Sequence, residues 1–247
     1  MKIEKKLWII LFAFGIFAIC FSGWIFRQST AREKLFWDNT IRCETKELKE
    51  GEIKAENIAL PKDFDVPKSI LFKTTHTIAE VWLDGEKIYE YGNEADAPGF
   101  MKTPGSCWHI VDIPGDSSGK NLEVRIIPVY EGYYGNEVSL VYGTRGDCIL
   151  KILTDSLGIP VISCGILFAA VICILLYCGA ARRKRSDKTE AKIEIFLNLG
   201  FFSLLVAVWT LVQCGFLQFL IPDGRTLYFV EYFSLFLFPV PFNFLLY

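Results

Sequence analysis

The chain has 247 residues, 52% of them hydrophobic, and a formal net charge of −2 from 26 Lys/Arg and 28 Asp/Glu. The average hides two materials: residues 27–156 hold 16 Lys/Arg and 22 Asp/Glu, about −6, and the rest holds 10 and 6, about +4. The acidic insert excludes nucleic acid as its partner, because phosphate binding wants a basic face.

Four apolar stretches frame that insert: Leu7–Phe26, roughly Leu157–Gly179, Ile195–Leu217 and Leu227–Tyr247. Each approaches or exceeds the roughly 20 apolar residues needed to cross a bilayer. The first is too long for the apolar core of a signal peptide, about 7–15 residues, and has no small-residue cleavage site. It reads as an uncleaved anchor within residues 1–27, with Trp8 and Trp24 near its ends as an interfacial belt. Residues 28–39 form a juxtamembrane linker that includes a short helical stretch, Ala31–Trp37.

Residues 40–146 read as an antiparallel β-sandwich. Ser69–Lys73 and Ile78–Leu83 are strand-like runs, and Asp84-Gly85 joins the second to Glu86–Tyr91. Asp-Gly between two such runs predicts a hairpin, since a type I′ turn needs positive φ at both central residues. Cys107–Ile113, Leu122–Tyr130 and Glu137–Tyr142 follow, separated by Pro and Gly clusters. Short strands at this spacing indicate a sandwich, and about 110 residues can bury one core. Residues 147–156 then link it to the helices of 157–247.

Loop charge gives the spans a direction. Lys2, Lys5 and Lys6 precede the first, and Arg182, Arg183, Lys184, Arg185, Lys188 and Lys192 lie in or beside the 180–194 loop between the second and third. The third and fourth are joined by residues carrying only Arg225. The positive-inside rule places the amino terminus and the basic loop in the cytoplasm, and residues 27–156 and 218–226 outside a multi-pass plasma-membrane protein. Attraction of the basic loop to anionic lipid is a secondary effect.

The chemistry-bearing residues are few. Of eight cysteines, only Cys43, Cys107 and Cys148 are exported, so at most one disulfide forms within the insert. Cys43 and Cys148, near its two ends, are the candidate pair. His76 and His109 are the only histidines, no cysteine pair has metal-ligand spacing, and no cofactor is expected. Gly115–Lys120 is a turn rather than a phosphate loop, because its glycines are too close and Asn121 stands where Ser/Thr belongs. No nucleophile-elbow, zinc-protease or GGDEF sequence occurs, so no catalytic residue is assigned.

Aromatics stack on sugar faces and polar groups fix hydroxyls. Trp82, Trp108, Tyr130, Tyr133 and Tyr134 are ligand-binding candidates on that ground, with Asp84 and His109 as polar partners. The two tryptophans lie in strands, where core packing is the stronger reading, and Asp84 reads first as the turn residue. Tyr130–Tyr134 lie in a Gly-rich loop, where packing gives aromatics less reason to be. Glu231, about five residues into the fourth stretch, is either a buried polar link between helices or an interfacial carboxylate. Pro239 and Pro241 each remove a backbone donor and should kink or break that span.

Val81-Trp82-Leu83-Asp84-Gly85-Glu86-Lys87-Ile88-Tyr89 resembles the V-x-L-D-G-x-x-I-Y hairpin of jelly-roll domains related to galactose-binding modules. Gly105–Pro114 and Leu122–Ile126 fit the same pattern. A jelly roll between a first span and a helical bundle resembles bacterial seven-transmembrane sensors of the diverse intracellular signalling type. Trp209 and Phe238-Pro239-Val240-Pro241 extend the resemblance into the bundle. It implies an input module for an extracytoplasmic small molecule, glycan or protein, acting as a homodimer. It also implies a cytoplasmic output beyond Tyr247, a diguanylate cyclase making cyclic di-GMP or a histidine kinase. A four-span structural or adhesion protein with an exported binding domain is the alternative. A transporter or channel fits less well, because Glu231 and Gln213 are the main polar residues in the spans.

Overall fold

A computed structural model describes residues 40–41, 54–93, 97, 99–130, 140–182 and 190–246. The first apolar stretch, Ala31–Trp37, Cys43, Tyr133, Tyr134 and residues 183–189 of the basic loop lie outside the described residues. An antiparallel β region is followed by helices, and the chain divides into two compact units. One holds the β region through Thr154 together with Gln218–Thr226; the other holds the apolar helices.

The strands are β1 (Thr40–Ile41), β2 (Lys54–Ala59), β3 (Lys68–Thr75), β4 (Thr77–Leu83), β5 (Glu86–Tyr91), β6 (Ser106–Ile113), β7 (Asn121–Pro128) and β8 (Leu140–Gly143). They form two four-stranded antiparallel sheets, ordered β1-β8-β3-β6 and β2-β7-β4-β5. Strict alternation explains the pairing, because a strand turns successive side chains to opposite faces. Ala79, Val81 and Leu83 of β4 and Leu122, Val124 and Ile126 of β7 point inward and meet Ile70 and Phe72 of β3 and Val111 and Ile113 of β6 in one core. Phe64, on a 3-10 turn at Lys62–Asp65, plugs the core and packs on Tyr142, with 5.0 Å between ring centroids.

The predicted hairpin forms with Asp84 at φ 48° and Gly85 at φ 86°. Asp84 Oδ1 also accepts the Asn121 N–H at 2.8 Å, tying the turn to β7. A bulge between Val81 and Trp82 shifts the β4–β5 register. A Cβ on Gly85 would meet nothing within 4 Å, so Gly85→Ala tests backbone conformation alone. It should destabilise the β unit by about 1 kcal/mol or slightly more, read as a lowered thermal midpoint.

The linker residues 147–156 lie in a helix, α1 (Arg145–Ser156). Thr144 is its N-terminal cap: Thr144 Oγ1 accepts the Asp147 N–H at 3.2 Å, and Asp147 Oδ2 accepts the Thr144 N–H at 2.9 Å. This reciprocal pairing satisfies the first-turn donors. Cys148 and Ile152 of α1 pack on Leu71, with Trp108 and Ile110 beside them, which covers the outer face of the β3–β6 sheet.

The helical unit contains α2 (Gly158–Ala181), α3 (Glu190–Val212), α4 (Gly224–Leu237, of which Leu227 onward belongs here) and α5 (Pro239–Leu246). Gly158–Ala181, Ile193–Val212 and Gly224–Leu245 are each long and apolar enough to cross a membrane. The α4–α5 break falls at Phe238, directly before Pro239, as the prolines predict. Small residues let α2 and α3 approach: a Cβ on Gly200 would lie 2.8 Å from Ile174 Cγ1 and 3.2 Å from the Ala170 carbonyl oxygen. Ser163 and Thr210 share a hydrogen bond of 2.8 Å across the same pair. Phe238 packs on Trp209 and Phe202, which joins the two motifs read from the bundle sequence.

Candidate functional site

The sequence candidates do not converge. Trp82 and Trp108 both lie half-buried on outer faces, but of different sheets, and His109 is inside the sandwich. Tyr130 is exposed, its ring edge-on to His76 at 5.8 Å between centroids. Tyr133 and Tyr134 lie outside the described residues.

Trp82 sits in a charged lattice on the β4–β5–β7 face. The Arg125 guanidinium lies 4.4 Å from the ring centroid and Lys87 Nζ 5.5 Å from it. The indole N–H donates to Glu80 Oε2 at 3.0 Å. Glu123 pairs with Arg125, and Glu80 and Glu90 pair with Lys87. A sugar stacking on Trp82 would have to displace Arg125 from its cation–π position. Trp108 is occupied in another way. Lys73 Nζ is 5.7 Å from its ring centroid, and the cluster of Leu71, Cys148 and Ile152 packs beside it. Cys148 is a free, buried thiol whose S–H donates to the Ser69 carbonyl at 3.7 Å; burial pushes it up to about 11.

His109 is 1% exposed and hydrogen-bonded at both ring nitrogens, to Thr74 Oγ1 at 2.7 Å and to the Tyr89 hydroxyl at 2.9 Å. Phe72, Tyr89 and Tyr91 pack around the ring. Burial holds the imidazole down at about 3 and pushes the Tyr89 phenol up to about 12. The chain of hydroxyl, imidazole and hydroxyl superficially resembles a nucleophile and its base. With Thr74 and His109 buried, Tyr89 partly buried and the imidazole held neutral, it serves as a satisfied polar network at the core.

A second network, which the sequence did not indicate, lies where two of the four edge strands, β5 and β6, meet the 218–226 link. β5 ends one sheet and β6 the other. On β6 the outward N–H of Trp108 donates to Gln218 Oε1 at 2.8 Å, and the Gln218 amide donates to the Trp108 carbonyl at 2.6 Å. One side chain thus imitates a neighbouring strand and blunts the edge. On β5 the Tyr91 hydroxyl accepts the Gly224 N–H at 3.0 Å and donates to the Pro104 carbonyl at 3.1 Å. The Cys107 thiol lies 2.9 Å from the same oxygen; with the phenol proton given to Pro104, the S–H donates. Burial raises both Tyr91 and Cys107, which keeps the pair neutral. Arg225 donates to the Asn93 carbonyl at 2.6 Å.

Gly224 is required for this closeness. A Cβ there would lie 2.6 Å from the Tyr91 hydroxyl and 2.8 Å from the Pro104 oxygen, with Cys107 Sγ nearer still. Asp223 caps α4, accepting from the Thr226 hydroxyl at 2.6 Å, the Thr226 N–H at 3.1 Å and the Arg225 N–H at 3.2 Å; burial pushes its carboxyl up, but these bonds outweigh it and keep the carboxyl below the usual range. In the helical unit, Gln213 donates to Glu231 Oε1 at 3.2 Å, so Glu231 links the end of α3 to α4 on the surface of that unit. No protein-family model, curated protein or solved structure matches this chain.

Proposed function

We propose that the chain is the input module of a membrane signalling protein, in which an extracytoplasmic sandwich detects a ligand or envelope partner and biases the attached helices. One observation carries this reading: Gln218–Thr226, which follows α3 and includes the first residues of α4, is built into the sandwich unit and bonded to two of its four edge strands, β5 and β6. A ligand that moves either edge strand therefore acts on a segment that continues directly into an apolar helix. Such a switch needs different ligand affinities for two arrangements of the helices.

The strand order, in which every consecutive pair except the β4–β5 hairpin is divided between the sheets, supports the jelly-roll reading. Two crossings, by α2 and α3, return the chain to the side of the sandwich at residues 218–226, and loop charge makes that side the exterior. By its resemblance to seven-transmembrane sensors, the output is a cytoplasmic diguanylate cyclase encoded past residue 247.

The reading is tested with the whole protein in lipid nanodiscs, screened against glycans and peptidoglycan fragments with hydrogen exchange as readout. A bound compound should change protection in 106–113 and 218–226 together. A compound that binds while the link stays unchanged would remove the transmission step. Silence across the panel would favour a protein partner or the structural, adhesive role.

A further inference from the structure

Among the described residues, the large apolar side chains left uncovered on the sandwich unit are mostly single, as at Val66 and Leu150. Phe219, Leu220 and Ile221 are the exception: three in sequence, 45%, 72% and 37% exposed. Both ends of the run are fastened to the sandwich, through Gln218 to Trp108 before it and through Gly224 to Tyr91 after it. The backbone is held while the side chains remain uncovered. A contiguous apolar run on a fixed turn marks an interaction surface.

The chain restricts what can cover it. The run lies between Val212, the last residue of α3, and Gly224, the first of α4, and both helices are apolar enough to span. Ile221 stands three positions before Gly224, a reach of at most about 10 Å. Headgroup regions add roughly 5–8 Å to each side of the hydrocarbon core. Phe100, 79% exposed, precedes by four residues the Pro104 that abuts Gly224, a reach of at most about 14 Å.

We infer that Phe219, Leu220 and Ile221 form a wedge that enters the interfacial zone of the bilayer, with Phe100 as a second contact. The partner is the lipid surface itself. The wedge holds the sandwich in a fixed attitude on the membrane instead of leaving it on a loose tether. It also places the Gln218 and Gly224 bonds at the membrane boundary. The inference rests on α3 and α4 being membrane spans, and the test separates the two.

An environment-sensitive fluorescent amino acid is placed singly at Leu220, at the exposed hairpin residue Asp84, and at Leu175, which is 64% exposed on α2. Whole protein in nanodiscs is then quenched with iodide from water or with lipids brominated on the acyl chain. Position 175 should be quenched by bromolipid and position 84 by iodide. Position 220 should be quenched by bromolipid and show several-fold weaker iodide quenching than position 84. If 220 behaves like 84 while 175 stays in lipid, the wedge is overturned and the spans stand. If 175 is open to iodide, the span reading fails and the wedge with it. Protection of 220 from both quenchers would mean that protein covers the run, and would also overturn the proposal.

Discussion

Replacing Gly224 by valine should pull the 218–226 link off the sandwich and lower the unfolding temperature of that unit. The new side chain would enter space held by the Tyr91 hydroxyl, the Pro104 carbonyl and the Cys107 thiol. Two of these are anchored on β5 and β6, and the third is backbone, so none can step aside cheaply. Overpacking of this kind costs about 1–3 kcal/mol, and the displaced Gly224 N–H and Tyr91 hydroxyl add about 1 kcal/mol of lost hydrogen bonding. The midpoint should fall by roughly 5–15 °C for a unit of this size. Gln218→Ala provides the graded comparison. It removes two bonds to the Trp108 main chain but creates no clash, so about 1–2 kcal/mol is expected, less where water replaces the amide. In hydrogen exchange on the whole protein, both variants should speed exchange at Trp108, and only the valine should also loosen 89–91. Unchanged protection of β6 in both would mean that the link bears no load.

The strands were legible where alternation and turn chemistry agreed. The hairpin around Asp84-Gly85 and the β6 and β7 runs appear nearly at their predicted bounds because period-2 patterning and positive-φ residues point the same way. The three described helices long and apolar enough to cross a membrane follow from composition, and the break at Phe238 from two prolines. β2, Lys54–Ala59, was missed because Lys, Glu and Asn dilute its apolar signal on an edge strand. The helical form of α1 is hard to read locally, because Gly146 inside its first turn weakens the capping signature of Thr144 and Asp147. At the site, parity along β6 carried more than was taken from it. If Val111 and Ile113 face inward, so do Cys107 and His109, and Trp108 faces out. Whether an outward tryptophan is open to ligand depends on α1 and on Gln218, more than a hundred residues away. No local pattern announces that a glutamine in an apolar stretch will cap a strand edge. Its role exists only once the fold has brought the two together.

Acidification should destabilise the sandwich well before its carboxylates titrate, with His109 as the main cause. In the unfolded chain the imidazole binds a proton near its ordinary 6.5, whereas burial holds it at about 3 in the fold. Between those values the unfolded state carries the extra proton, so stability rises with pH. The contribution is complete above about pH 6.5 and declines as pH falls toward 3, at up to about 1.4 kcal/mol per pH unit. His76, also lowered by burial, acts with the same sign. Asp147 and Asp223 are held below their ordinary 3.8 by hydrogen bonds. Their share is present above that value and lost below it, so the window from about pH 6.5 to 4.5 belongs to the histidines. Chemical unfolding of the whole protein, followed by hydrogen exchange in β3 and β6, should show this slope in the native chain. His109→Gln keeps an amide able to meet Thr74 and Tyr89 but cannot take a proton. It should be less stable near neutrality, because an ill-fitting amide replaces a ring bonded at both nitrogens and packed on Phe72. Its stability should nevertheless fall less steeply with acid, so the two curves converge as pH drops. Parallel curves would show that the proton reaches His109 without opening the core, and that the imidazole is not held neutral by its burial.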